Sequence, residues 1–274
     1  MEQKIDAIIL AKGAPVQTSD GSVTMCAIAL SEELGLIRIY PLSADENRNI
    51  KVWSIVSITA KRSSKDNRRE SWRVLECEKT GQIESSGSKQ DILESCVLKS
   101  GTIDPIVYQN ERRGSICVVK SSGVVGFALT PRSSDDLCAF DEDECWVRTQ
   151  KTFPLKPYLH WTSIQGSEHK THIVAQEVYM GMLHNASCPG RVFENMRVGD
   201  PDYEHWLILG NTKDRRTVWV APHVHRLKKT GSHTHTNLLM FDGRKEGWPY
   251  LQQEDRNAKD AGPQLTFAFI TEDI

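Results

Sequence analysis

The sequence predicts an α+β fold made mainly of antiparallel β-strands, with small barrel-like units and one longer helix in the C-terminal half. Short runs of β-branched and aromatic residues follow one another closely through residues 23–78. Turn-forming residues separate these runs and leave no room for the long crossover helices of a doubly wound domain. Further along, residues 169–186 have the apolar spacing of a helix and end at Cys188-Pro189-Gly190.

The individual elements follow from the same signals. In the N-terminal half the sequence predicts strands at residues 23–30, 36–40, 53–60 and 72–78, a helix at 91–99, and a strand pair within 116–130. In the C-terminal half it predicts the helix at 169–186, a short helix at 191–196, and strands at 205–210, 217–225, 237–241 and 264–270. The acidic segment 135–144 is a candidate boundary, so we expect a β-rich domain at 1–150 and a histidine-rich α+β domain at 151–274.

Composition excludes several classes of function. The chain has 274 residues and a formal net charge of −2, so any attraction for nucleic acid must come from local patches. No apolar run approaches the ~20 residues that span a bilayer, and the start lacks the basic and apolar regions of a secretory signal. We therefore expect a cytoplasmic protein with no membrane partner. Phosphate-binding glycine loops and the nucleophile elbow of α/β-hydrolases are also missing from the sequence.

All nine histidines fall between residues 160 and 235. On the predicted helix, His169 and His172 share one face, with Glu177 close to the direction of His169. On a strand, His223 and His225 point to the same side, and His233 and His235 repeat that spacing. Converging imidazoles and a carboxylate suit a divalent metal or acid–base chemistry near neutral pH. The alternative is a set of ordinary hydrogen-bonded or surface histidines, and the seven scattered cysteines form no Cys-x-x-Cys pair that favours zinc.

Two clusters of basic residues suggest contacts with phosphate. The first lies around Trp72 and includes Arg68, Arg69 and Arg73, and the second lies around Trp219 and includes Arg215 and Arg216. Basic loops between barrel strands can bind phosphates, while neighbouring aromatic rings stack on bases. Interspersed carboxylates such as Asp66, Glu70 and Asp214 also permit the simpler interpretation of solvated charged loops.

Three segments together resemble a family of mostly uncharacterised prokaryotic proteins. The first is Gly35-Leu36-Ile37-Arg38-Ile39-Tyr40-Pro41, preceded by Cys26, and the second contains Asp66, Arg68, Glu70, Ser71, Trp72 and Arg73. The third pairs His169 with Glu177 and continues to Leu207-Ile208-Leu209-Gly210-Asn211. This chain has Leu36 in place of the family's Trp, Arg69 in place of Pro, and Gln165-Gly166-Ser167 where the family carries a cysteine pair.

The resemblance implies a function in nucleic-acid binding. It extends loosely to proteins with two oligonucleotide/oligosaccharide-binding (OB) barrels in prokaryotic defence or mobile-element systems. Our leading hypothesis is a nucleic-acid-binding module, with Arg38, Arg68, Arg69, Arg73, Arg215 and Arg216 on phosphates and Trp72 stacking on a base. The alternatives are a metal-dependent hydrolase or nuclease and a protein-interaction subunit. In the hydrolase, His169 and Glu177 are catalytic, and His169, His172, His223 and His225 bind a divalent metal.

Overall fold

The computed structural model of the chain describes residues 2–17, 23–63, 66–131, 155–185, 187–213 and 215–229. The predicted strands at 237–241 and 264–270, the acidic segment 135–144, and His233 and His235 lie outside these residues. The N-terminal elements are β1 (Glu2–Lys12), β2 (Val16–Gln17), β3 (Val23–Ser31), β4 (Gly35–Ser43), α1 (Ala44–Asn49), β5 (Ser54–Arg62), β6 (Ser71–Gln82), α2 (Ser86–Cys96) and α3 (Pro105–Glu111). They are followed by β7 (Ile116–Pro131), β8 (Leu155–Ser163), β9 (Glu168–Ile173), α4 (Gln176–His184), α5 (Arg191–Asn195), β10 (Tyr203–Asn211) and β11 (Trp219–Lys228).

The first five long strands close into a barrel. Their order around the barrel is β1-β5-β6-β4-β3, and β3 pairs back with β1, while the two-residue β2 extends β3. The pairings are antiparallel except that between β4 and β6. Alternate residues point inward, so isoleucines such as Ile37, Ile39 and Ile58 fill the centre. The short helix α1 begins with a capping box in which Ser43 and Glu46 satisfy each other's backbone amides.

The second barrel has the same topology. Its order is β10-β11-β9-β8-β7, closed on itself, with a parallel pairing only between β9 and β11. Numbered from first to fifth, the strands of both barrels run 1-2-3-5-4-1, with the third and fifth parallel and a helix after the third. This order is that of the OB fold, so the described chain is a tandem pair of OB-type barrels.

The predicted barrel-like units are therefore confirmed, but the α+β class with one longer helix is wrong. Residues 168–173 form the central strand β9, since Thr171 and Ile173 are β-branched and pair with β8 and β11. The helix begins only at Gln176 and has nine residues. The strand Ile116–Pro131, which the sequence assigned to the first unit, is the first strand of the second barrel. Among the described residues, no helix is long and apolar enough to cross a bilayer.

The two barrels share a hydrophobic core. Ile8, Leu10, Ile28 and Leu30 face outward from the first barrel and pack against outward-facing residues of the second, namely Ile116, Val118, Trp206, Ile208 and Leu227. Each of these residues is less than one tenth exposed. Backbone hydrogen bonds also cross the interface, including Ala14 N to Val174 O at 2.8 Å. Because this apolar burial is lost if the barrels part, it favours the packed arrangement of the two barrels.

Candidate nucleic-acid interface

The two basic clusters occupy equivalent positions in the two barrels. Each lies in the loop between the fourth and fifth strands, which is residues 63–70 in the first barrel and 212–218 in the second. Residues 64, 65 and 214 within these loops are not described. In OB barrels this loop and the face of the second and third strands commonly carry the ligand contacts. We refer to these two segments as the 4–5 loops.

The packing of the barrels brings the 4–5 loops into contact. Arg68 donates to the carbonyl oxygen of Asn211 at 2.8 Å, and Arg216 donates to the side-chain oxygen of Asn67. The Asn211 side chain in turn donates to Gly114 O at 2.9 Å and to Arg216 O at 3.1 Å. Both loops and the end of the inter-barrel connection therefore meet at Asn211.

Arg38 and Arg68 hold this junction together. Arg38 is 7% exposed and donates to Ser115 O at 3.0 Å and to the hydroxyls of Ser115 and Ser71. Ser115 donates to the Glu70 carboxylate at 2.9 Å. Burial lowers the pKa of Arg38 to about 10, so its guanidinium remains charged at neutral pH. Arg38 is therefore a cross-link between the barrels, and the side chain that the sequence predicts on a phosphate is covered in this structure.

Arg68 is likewise held by an ion pair and hydrogen bonds to its neighbours. It pairs with Asp66 at 2.6 Å, through both carboxylate oxygens, while its other nitrogen reaches Asn211. Burial acts to raise the pKa of Asp66, but the hydrogen bonds and charge of Arg68 lower it to about 2. The pair is ionised at neutral pH, and Arg68 positions the first 4–5 loop against the second barrel.

Gly210 leaves the space that the junction needs. A β-carbon at this position would lie 3.2 Å from Arg38 Nη2 and 3.6 Å from Ile28 Cδ1. The neighbouring Asn211 supplies the carbonyl for Arg68. The three segments of the sequence resemblance thus converge here, since Arg38, the Asp66–Glu70 loop and Gly210-Asn211 belong to one junction.

The remaining cations form an exposed surface around the junction. Arg69, Lys213 and Arg215 are exposed and Arg216 is half-buried. The sequence analysis missed Arg112 and Arg113, which are exposed at the end of α3 directly before Gly114. No motif marks them, since only the fold brings Gly114 to Asn211. We call the six residues Arg69, Arg112, Arg113, Lys213, Arg215 and Arg216 the basic loop surface.

The carboxylates near this surface are partly neutralised. Asp66 is paired with Arg68 and Glu70 accepts from Ser115, so both are bound within the junction. Glu111 is exposed at the end of α3. The exposed cations therefore lie in segments that meet at the junction, although the whole chain has a net charge of −2.

Trp72 and Arg73 point in opposite directions from β6. Trp72 is 5% exposed and packs in the core of the first barrel, with the Arg62 guanidinium 3.9 Å from its ring centre. The ring that the sequence predicts to stack on a base is therefore covered in this structure. Arg73 is exposed, as the alternation of a strand requires, and remains available for a phosphate.

The structure separates the histidines that the sequence placed together. His169 and His172 are three residues apart on a strand, so they face opposite sides of β9. His169 Nε2 lies 2.8 Å from Asp104 Oδ2, and its ring stacks on Trp161. His172 is buried and its Nε2 lies 3.0 Å from the Tyr179 hydroxyl. The predicted pair of His169 with Glu177 does not form, since Asp104 is the partner of His169.

Glu177 instead lies beside His223, with Oε1 2.5 Å from Nδ1. The rings of His223 and His225 are 4.2 Å apart, and both side chains are buried at the interface of the barrels. His225 Nε2 donates to Leu10 O at 2.9 Å across that interface. This nitrogen carries the ring proton, because a carbonyl oxygen can only accept. Within the described part of the chain, no group of three or more histidine, cysteine or acidic residues can hold a metal ion. The predicted metal site at these four histidines is therefore not assembled.

Comparisons with known proteins identify no function. Residues 3–95, about a third of the chain, match a family described as a domain of unknown function, DUF8758. This segment spans the first barrel and most of α2. No curated protein matches the chain. Two solved structures align with it at low similarity. They are a tetrameric p202 HIN2 domain (7% identity, TM-score 0.27, 84% of this chain and 96% of that one) and a murine DNA-binding protein bound to double-stranded DNA (8% identity, TM-score 0.31, 85% and 99%).

Proposed function

We propose that the tandem of OB-type barrels binds nucleic acid through the basic loop surface. The observation that carries the proposal is the contact between the two 4–5 loops, made by Arg68 with Asn211 and by Arg216 with Asn67. This contact joins two clusters that lie about 140 residues apart in sequence into one cationic surface. Cations fixed on a rigid scaffold bind a polyanion at a lower entropic cost than mobile ones.

The chemistry of the surface fits a phosphate backbone. Arginine and lysine neutralise phosphates and release condensed counterions, which gives affinity that does not depend on sequence. Arg73 extends the surface onto β6, four residues after Arg69. Arg38 and Arg68 contribute indirectly, since they hold the loops in place. A role in a prokaryotic defence or mobile-element system, which the sequence resemblance implies, remains a proposal beside this one.

The test is the salt dependence of binding to short single-stranded and double-stranded oligonucleotides. Wild-type affinity should fall steeply between low and physiological salt, with a log–log slope of about −0.7 to −0.9 for each phosphate contacted. Arg113→Ala and Arg215→Ala should each reduce that slope by about one contact and weaken binding to all sequences alike. Fluorescence anisotropy at several salt concentrations measures both quantities.

Arg191→Ala is the matched control. Arg191 is exposed on α5, which precedes the start of β10, whereas the second 4–5 loop follows its end. The nine residues of β10 span about 27 Å, so the start of this strand, which α5 precedes, is far from the loop at its end. Arg191→Ala should therefore bind like the wild type. A wild-type protein that binds neither single nor double strands, or that binds with a flat response to salt, contradicts the proposal.

A further inference from the structure

We infer that the exposed ring of Tyr40 is a stacking platform for an unpaired base, which makes single-stranded nucleic acid the preferred ligand of the tandem. This inference rests on the proposed function and assigns a part of the first barrel that the basic loop surface does not include. Tyr40 lies on β4, the third strand of the barrel, and 41% of its surface is exposed. The second and third strands of OB barrels commonly form the ligand face.

Strand pairing places Tyr40 in a row with two cations. Tyr40 is directly opposite Arg73 on β6, and Arg73 is directly opposite Lys61 on β5. Residues that are opposite each other in neighbouring strands point to the same face of the sheet, so the three side chains lie side by side on the outside of the barrel. Arg73 is exposed and Lys61 is half-buried. We call Lys61, Arg73 and Tyr40 the stacking row.

The stacking row begins one residue pair beyond the junction. The preceding pair on the same face is Arg38 and Ser71, which are hydrogen-bonded within the junction. Two residues along a strand advance by about 7 Å, so Tyr40 and Arg73 lie one step beyond the point where the second barrel covers the face. A strand whose phosphates follow the 4–5 loops therefore reaches Arg73, with Tyr40 beside it.

The ring of Tyr40 is held in place at its far end. Thr24 Oγ1 donates to the Tyr40 hydroxyl at 3.4 Å, from the neighbouring strand β3. An aromatic ring that is already fixed loses less entropy when a base stacks on it. The next outward-facing pair, Thr59 and Glu76, carries an exposed carboxylate that limits the cationic face on that side. Trp72, by contrast, is buried beneath this face.

A base can stack on Tyr40 only when it is free of its complementary strand. The bases of a duplex are stacked on one another and present their edges, whereas those of a single strand expose their faces. The combination of an exposed ring and flanking cations matches the platforms that proteins use for single strands. A duplex can bind only through the cations of this surface, without stacking a base on Tyr40.

The experiment compares three ligands of equal length: an oligodeoxythymidine strand, an abasic strand with the same phosphates, and a duplex. We expect the wild-type protein to bind the thymidine strand roughly 5- to 100-fold more tightly than the abasic strand, the range that stacking on one aromatic ring supplies. Tyr40→Leu should remove most of that difference and leave binding to the abasic strand and the duplex unchanged. Tyr40→Phe, which keeps the ring but loses the bond to Thr24, should retain most of that difference.

The outcomes separate the inference from the proposed function. If the wild type binds all three ligands equally, or if Tyr40→Leu weakens all three alike, the stacking platform is wrong while nucleic-acid binding stands. If the wild type binds none of them, both are wrong. The comparison of thymidine and abasic strands uses the unaltered protein, so the inference remains testable even if Tyr40→Leu does not fold.

Discussion

At the scale of single residues, the barrels are joined by a few side chains whose roles differ from those of their neighbours in sequence. Arg38 is buried and Arg68 is partly buried in the junction, whereas Arg69 and Arg73 are exposed. Charge alone does not distinguish them. Burial with hydrogen-bonded partners makes Arg38 a structural residue, because a buried guanidinium without partners is strongly destabilising.

We predict that Gly210→Ala destabilises the junction. The new methyl group would meet Arg38 Nη2 at 3.2 Å, so the guanidinium must shift by a few tenths of an ångström, whereas Ile28 Cδ1 at 3.6 Å is in ordinary contact. We expect a loss of about 1–3 kcal/mol in the free energy of unfolding, measured by urea denaturation. Gly126→Ala is the control, since a β-carbon there meets nothing within 4 Å, and its effect should stay within about 0.5 kcal/mol. Equal stability of the two variants would contradict the close packing of Gly210 against Arg38 in the junction.

At the scale of elements, the helix α3, which lies in the connection between the barrels, is held to the second barrel through its N-cap. Its N-cap Asp104 accepts hydrogen bonds from Ile106 N at 3.0 Å and Val107 N at 3.4 Å. The same carboxylate contacts His169 on β9. Burial acts to raise the pKa of Asp104, but the hydrogen bond and charge of His169 lower it. One carboxylate therefore starts the helix and fixes it to the mouth of the second barrel.

We expect Asp104→Ala to lower the free energy of unfolding by about 1–3 kcal/mol, because both the cap and the contact with His169 are lost. Asp104→Asn keeps an oxygen for the cap and should cost less. Ser85→Ala removes only the cap of α2, where the hydroxyl accepts from Ser88 N at 3.3 Å, and should cost about 1 kcal/mol. Urea titrations should show that the Ala variant is less stable than the Asn variant, which checks both roles of Asp104. An Asn variant as unstable as the Ala variant argues against the cap.

At the scale of the whole molecule, a buried polar cluster lies where the barrels meet. The ring of His225 lies against that of Trp53 in a tilted arrangement with ring centres 4.6 Å apart, and it bonds to Leu10 O, while Glu177 lies beside His223. Lys12 donates to Ile50 O at 2.6 Å. Burial lowers the pKa of Lys12 to about 8, although the negative charge of Glu177 acts to raise it. These groups fix the relative orientation of the barrels, which apolar packing alone specifies less well.

The pKa of His225 is lowered well below 6.5, first by burial and then by the charge of His223. The unfolded chain takes up a proton below pH 6.5 and the folded chain does not, so stability is retained above that pH and lost as pH falls below it. His225→Gln keeps a donor for Leu10 O but cannot take up the proton. We expect it to reduce the slope of the free energy of unfolding against pH by up to about 1.4 kcal/mol per pH unit. Urea titrations between pH 7.5 and 5 measure it, with the exposed His184→Gln as control. An unchanged slope would count against a neutral His225.

The sequence by itself determined the strand-rich, barrel-like character and the two basic clusters, because alternation, turn residues and charge are local properties. It also placed Arg38, Asp66, Arg68 and the Gly210-Asn211 segment within the three segments that resemble a family. It did not show that they form one junction, since contacts between residues 38, 68, 115 and 211 exist only once the barrels pack. The helix expected at 169–186 was wrong because pairing with β8 and β11 overrides the local helical spacing. Tertiary packing alone decided which basic residues are exposed, that Trp72 is covered, and that Tyr40 is not.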